Sequence, residues 1–208
     1  MKKLFLASLM ALAISFSVHA QNYPASPTDV SPMMVGEVIE DTPLFDSNGK
    51  EVSLYAIQDK PAIIVFYRGL WCSNCIKHFT QEFKDHLEEF ESAGYRLMLV
   101  SADQGESLRE AARQTGIDAS YFYGDKNNAL AKKMGLVWQQ QERLKENLLK
   151  SSEGTNVDLL LPISAFYMIN SKHEVRFADL RPLAIPVAKR ILYDEYKPIL
   201  HHYVPDAE

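Results

Sequence analysis

Apolar residues along this chain switch between two periods. Pro61–Tyr67 (PAIIVFY) and Tyr95–Ser101 (YRLMLVS) are rich in aliphatic and aromatic residues, as expected of strands buried on both faces. Between them Ile76, Phe79, Thr80, Phe83, Leu87 and Phe90 recur at helical spacing, and Gly94 stands where a glycine cap would end the helix. Glu106–Thr115 predicts a second helix, with Leu108, Ala111 and Ala112 inward and Gly116 as its stop. Tyr121–Tyr123 predicts a short strand, and Asn127–Met134 a helix closed by Gly135. Trp138–Lys150 is charged and glutamine-rich, with Leu144, Leu148 and Leu149 on one side; it reads as a partly exposed inserted helix, followed by a loop over 151–156. Ile163–Asn170 and Glu174–Ala178 predict two antiparallel strands joined at Ser171-Lys172-His173. Pro186 opens a last helical stripe reaching Tyr203, which Pro198 should kink or shorten.

Upstream, Pro43–Asp46 and Glu51–Leu54 flank Asn48-Gly49, the pattern of a β-hairpin. The order is hairpin, three strand–helix units, hairpin, helix. That predicts an α/β protein with a mostly parallel central sheet, helices on both faces and antiparallel strands at its edges.

The two ends read differently. Lys2 and Lys3, an apolar run from Leu4 to Val18 and the small-residue close Val18-His19-Ala20 have the layout of a secretory signal peptide. The run is at the short limit for spanning a membrane, and no basic flank follows it. The expectation is therefore an exported chain with no stable membrane insertion after cleavage, periplasmic if the source is a Gram-negative bacterium. Residues 21–35 carry Pro24, Pro27 and Pro32 and read as an extended arm; residues 36–208 form one domain.

Composition narrows the function classes. The chain has 208 residues, 47% of them hydrophobic, and a net charge of −5. Loss of residues 1–20 would remove two lysines and no acid, so the exported chain is more acidic still. An acidic chain lacks the basic face that nucleic-acid phosphates require, and no nucleic-acid partner is expected. Two cysteines cannot build a disulfide scaffold or a four-cysteine zinc site.

Those cysteines, Cys72 and Cys75, sit three apart where a buried strand hands over to a helix. The first helical turn leaves backbone N–H groups unsatisfied, and the macrodipole is positive there. Both favour a thiolate; such placement lowers a cysteine pKa from about 8.5 to about 3.5–7.5. A second cysteine one turn later can then resolve a mixed disulfide or a sulfenic acid. Other readings stand beside this one: a short structural disulfide, part of a metal site, or two buried thiols. A four-residue disulfide loop is the least stabilising kind, about 2 kcal/mol on the chain-entropy model. His201-His202 are adjacent, which does not suit a zinc pair.

Phe66-Tyr67-Arg68-Gly69-Leu70-Trp71-Cys72-Ser73-Asn74-Cys75 resembles the motif of the peroxiredoxin-like branch of the alkyl hydroperoxide reductase/thiol-specific antioxidant (AhpC/TSA) family. The resemblance extends through Asn128–Val137, Met168-Ile169-Asn170 and Val175–Ala178, about residues 36–182 in all. It implies a thioredoxin-like fold: a central mixed sheet with helices on both faces and an N-terminal β-hairpin. It also implies thiol redox chemistry without a bound cofactor. Thioredoxin-type proteins attack with the first cysteine of the pair, here Cys72. Typical peroxiredoxins carry Pro-x-x-x-Thr-x-x-Cys, which on this chain puts the peroxidatic sulfur at Cys75, Cys72 at the threonine and Arg68 at the proline. Ser164 falls where relatives carry a cis-proline or a thiolate-steadying arginine, with Pro162 two residues earlier.

Arg68 is therefore a candidate source of positive charge, His78 a candidate acid or base one turn beyond Cys75, and Trp71 a wall of the partner-binding surface. The leading expectation is an exported oxidoreductase exchanging protein thiols and disulfides. The alternative is a thiol-dependent peroxidase acting on hydroperoxides. Either needs a reducing or oxidising redox partner. A third reading, of another class, is a metal-binding or redox-inert partner-binding module.

Overall fold

The structure is a computed structural model and describes residues 22–181. The expected signal segment and the last helix, from Pro186, lie outside the described residues. The elements, in order, are β1 (Pro43–Phe45), β2 (Glu51–Ser53), α1 (Leu54–Ile57), β3 (Ala62–Phe66), α2 (Ser73–His78), α3 (Leu87–Ser92), β4 (Arg96–Ser101), α4 (Gly105–Thr115), β5 (Phe122–Gly124), α5 (Ala129–Lys133), β6 (Val137–Gln139), α6 (Lys145–Ser151), β7 (Leu160–Pro162), β8 (Ser164–Ile169) and β9 (Val175–Arg181).

Seven strands make one mixed sheet in the order β2-β1-β5-β4-β3-β8-β9. Only β3–β4 and β4–β5 run parallel; the other neighbours are antiparallel. The expectation of a mostly parallel sheet is corrected here. The N-terminal hairpin does not stand apart: Phe45 pairs with Gly124 and extends the sheet beyond β5.

The buried runs do what their composition requires. Along β3, Ile63 packs on one side with Leu97, Leu99, Phe90 and Phe166, whereas Ile64 packs on the other with Met98, Val100 and Tyr167. Successive side chains point to opposite faces, so a continuous apolar run supplies both cores at once. Burying each such side chain contributes about 1.5–3 kcal/mol.

Two helix expectations need revision. The run after Cys72 is not one regular helix: α2 passes into a π-helical turn over Phe79–Phe83, a 3-10 turn over Lys84–His86, then α3. Thr80 is exposed, not inward, and its hydroxyl donates to the Ile76 carbonyl at 2.8 Å. A hydroxyl bonded back onto the preceding turn competes with the helical ladder and bends it. Phe79, Phe83 and Phe90 still reach the core as a tilted stack. The expected inserted helix begins later, because Val137–Gln139 pairs as a strand with Leu160–Pro162. The apolar run Leu160-Leu161-Pro162 supplied the partner strand.

Residues 22–35 form neither helix nor strand and are fastened to the body by hydrogen bonds to their backbone. Met33 N–H donates to the Met134 carbonyl at 3.0 Å, Gln139 N–H to the Pro24 carbonyl at 2.8 Å, and the Tyr167 hydroxyl to the Met33 carbonyl at 3.1 Å. Gly135, at φ +66°, lies directly under this arm: a Cβ there would collide with the Ser31 carbonyl. Gly135→Ala therefore combines a left-handed backbone with a displaced arm. Its urea midpoint should fall at constant slope by an amount worth about 1–3 kcal/mol. An unchanged midpoint contradicts the close seating of the arm.

Candidate active site

The parallel strands β3 and β4 end at the same edge of the sheet, with Phe66 beside Val100. The chain leaves β3 at Tyr67 and must reach the start of α2 at Ser73 within a few residues. Gly69, at φ +120°, makes the turn. A Cβ on it would lie 2.6 Å from Asp103 Oδ1 and 3.0 Å from Trp71 Nε1, so glycine is required sterically as well as conformationally. Cys72 N–H then donates to the Gly69 carbonyl at 3.0 Å and closes the turn.

Cys72 and Cys75 are joined as a disulfide. Cys72 is the N-cap of α2, and its sulfur accepts the Cys75 backbone N–H at 3.3 Å. Arg68 Nη2 donates to the same sulfur at 3.4 Å. Its guanidinium also stands 5.7 Å from the Trp71 ring centre, in cation–π range. Burial lowers the Arg68 pKa from its ordinary value, yet an arginine remains charged at any physiological pH. The sulfurs differ in access: Cys72 is 4% exposed, whereas Cys75 is only partly buried, behind the exposed Ser73 and Asn74.

Of the residues singled out from the sequence, Arg68, Trp71, Cys72 and Cys75 come together. Trp71 also packs with Leu144, Leu148, Leu159 and Leu161, so the segment around α6 and β7 borders the site. His78 closes α2, half-buried, with its ring tilted against Phe79 at 6.1 Å. Ser164 opens β8, beside the Ala165–Phe66 pair, at the sheet end that carries the cysteine loop. Every peptide bond among the described residues is trans, that of Pro162 included. Among the described residues no three His, Cys, Asp or Glu side chains are grouped to hold a metal ion.

Sequence reasoning missed Asp103. It is 1% exposed, two residues beyond β4. Its Oδ2 accepts the Leu70 backbone N–H at 2.6 Å and faces the Tyr67 hydroxyl at 3.5 Å. The signal was an acid directly after a buried parallel strand, at the sheet edge where α/β proteins build sites. Burial raises its pKa to about 6, partly offset by the Leu70 N–H and by the Ser151, Ser101 and Tyr67 hydroxyls. Burial, and next the Asp103 charge, pushes the Tyr67 phenol well above its usual range. Asp125 is also raised to about 6 by burial, while accepting the backbone N–H groups of Leu130 and Ala131 at the start of α5.

Residues 35–178 match the AhpC/TSA family, and the chain belongs to it. A chloroplastic peroxiredoxin Q from Sedum lineare is 29% identical over 93 residues, 45% of this chain and 49% of that protein. The chain spans about half the length of the curated relatives it matches. Among solved structures, peroxidoxin BcpB from Mycobacterium tuberculosis superposes with a TM-score of 0.63 at 17% identity, covering 82% of this chain and 98% of that one. Reduced Prx3 from Vibrio vulnificus superposes with a TM-score of 0.63 at 11% identity, covering 82% and 99%. These likenesses are of fold: the expected thioredoxin-like architecture, with its mixed sheet and N-terminal hairpin, is the one observed.

The two raised carboxyls set a pH dependence. Between about pH 4 and 6 the native chain keeps protons on Asp103 and Asp125 that the unfolded chain has released. The contribution of these two carboxyls to stability then falls as pH rises through this window, by on the order of a few kcal/mol for the pair, against the smaller opposing contribution of His173, whose pKa is lowered by burial. Urea midpoints at pH 4.5, 5.5 and 6.5 should decline in that order. A flat or rising series contradicts the buried, proton-holding carboxyls.

Proposed function

We propose that this chain is a thiol-dependent peroxidase that reduces hydroperoxides and completes each cycle as the Cys72–Cys75 disulfide. The observation that carries the reading is the disulfide at the start of α2, with the Arg68 guanidinium on Cys72 Sγ, in a chain of the AhpC/TSA family. The expectation of a dedicated protein thiol–disulfide exchanger has less support than its peroxidase alternative, because the curated relatives are peroxiredoxins. The Vibrio vulnificus neighbour was solved in complex with hydrogen peroxide.

Cys75 is the attacking sulfur in this reading. It is the more accessible of the pair and holds the peroxidatic register of the motif. Its thiolate attacks the nearer peroxide oxygen. An S–O bond forms, the O–O bond breaks, and the departing oxygen takes up a proton to leave as alcohol or water. Cys72 then displaces hydroxide from the Cys75 sulfenic acid, giving the disulfide and water. Arg68 and the Cys75 N–H stabilise charge on Cys72 Sγ, the sulfur that departs when an incoming reductant thiol attacks Cys75. A better-stabilised leaving thiolate leaves faster. A dithiol partner restores both thiols.

Export is part of the proposal and rests on residues 1–20: a basic start, an apolar run and a small-residue close. The reductant would then be an extracytoplasmic dithiol.

The test is peroxide consumption by the reduced chain under dithiothreitol turnover. Wild type should consume hydrogen peroxide catalytically, and Cys75→Ser should fall to background. Cys72→Ser, reduced, freed of dithiothreitol and given excess peroxide, should consume one equivalent and stop with a sulfenic acid on Cys75, seen by mass spectrometry after trapping. Rapid insulin reduction with only background peroxide consumption contradicts the reading and favours disulfide exchange.

A further inference from the structure

The turn that carries the sulfur pair is held from beneath. Asp103 sits outside the Cys-x-x-Cys motif, and the peroxide chemistry above does not use it. Its carboxyl is buried yet meets no lysine or arginine within ion-pair distance among the described residues. Oδ2 takes the Leu70 N–H at 2.6 Å, a short bond to a group in the middle of the turn. Oδ1 makes no hydrogen bond of standard geometry and lies against the Cα of Gly69, where a side chain would strike it. One carboxyl thus grips two consecutive residues of the turn, one by hydrogen bond and one by contact. The next links are Cys72 N–H to the Gly69 carbonyl and Arg68 to Cys72 Sγ.

We propose that Asp103 is a positioning residue of the redox pair: by holding Leu70 N–H under Gly69, it fixes the turn that seats Cys72 Sγ at the start of α2 and against Arg68. The proposal rests on reading Cys72 and Cys75 as a redox pair, whichever oxidant they meet. Asp103 touches neither sulfur directly in the hydrogen bonds described, so its effect is transmitted through the Gly69–Cys72 backbone.

Loss of the Asp103 charge on protonation weakens its hydrogen bond to the amide, so the seating of Cys72 varies with pH. The groups around Asp103 are Tyr67 at the end of β3, Ser101 at the end of β4, Ser151 at the end of α6, and Gly69, Leu70 and Trp71 from the turn. The phenol of Tyr67 stays neutral, and the hydroxyls and the indole carry no charge. Arg68 turns its guanidinium to Cys72 and Trp71, and the Glu153 carboxylate lies over Gly105, two residues further along the chain. Neither bonds the Asp103 carboxyl, which leaves Asp103 as the group in this cluster that titrates near neutrality.

The experiment reads reduction of the disulfide in the oxidised chain by dithiothreitol, per unit of reductant thiolate, from pH 5 to 8. Peroxide is absent, so failure of the peroxidase reading and failure of this one are separate results. Asp103→Ala should slow reduction about tenfold, as expected for loss of one hydrogen bond to a charged group. Asp103→Asn keeps an oxygen that accepts from Leu70 and should restore the rate to within about threefold of wild type. It should also abolish the inflection that wild type shows between pH 5 and 7. A folded Asp103→Ala with the wild-type rate, or an Asp103→Asn that keeps the inflection or is as slow as alanine, overturns the proposal. Amide exchange in the wild type tests it without any substitution. The Leu70 N–H should be protected at pH 7 and less so at pH 5 after correction for intrinsic exchange. An unprotected Leu70 amide at pH 7 also overturns it.

Discussion

The passage from β3 to α2 is the constraint around which the site is arranged. A strand buried on both faces must give way, within six residues, to a helix whose N-cap is a cysteine. The backbone polar groups of so tight a connection need partners, because they lie close to the core. The Leu70 N–H finds the Asp103 carboxyl and the Gly69 carbonyl finds Cys72 N–H. Space is as limiting as hydrogen bonding, since the Cα of Gly69 is enclosed by Asp103 and Trp71. The sulfurs inherit their placement from this turn.

The electrostatics follow from the same geometry. The family resemblance implies a proline at the position of Arg68 and a cis-proline or thiolate-steadying arginine at that of Ser164. Here the arginine stands at the proline position itself and reaches Cys72 Sγ from within the turn. Ser164, at the other side, supplies no charge. Among the described residues, charge on Cys72 Sγ is met from within the turn, by Arg68 and the Cys75 N–H at the start of α2. Asp103 places an opposing carboxyl beneath the same loop and is itself pushed toward protonation by burial.

Much of this was legible in the sequence, for physical reasons that can be named. β3, β4 and β8 announced themselves because strands buried on both faces carry apolar residues at nearly every position. The Asn48-Gly49 turn and Gly116 marked chain reversals that need a left-handed residue. The cysteine pair was legible because two thiols one helical turn apart carry chemistry at any register. What stayed hidden depended on distant partners. Phe45 pairing with Gly124, or Val137–Gln139 with Leu160–Pro162, is a tertiary choice that short strands do not reveal. Thr80 fits a helical stripe equally well inward or outward, and in the structure it is exposed. Asp103 lies in a loop, and its contact with the cysteine turn arises only because β3 and β4 end side by side.

In the proposed mechanism the turn holds Cys72 Sγ ready to carry charge, and a pH titration of thiolate absorbance in the fully reduced chain, beside Arg68→Ala, tests this. The first thiol should titrate below about pH 7.5, within the range of helix-start cysteines. Removing Arg68 should move that value upward by about one unit, as loss of a nearby opposite charge does. Two thiols titrating at about 8.5 or above, with no response to Arg68→Ala, would contradict it.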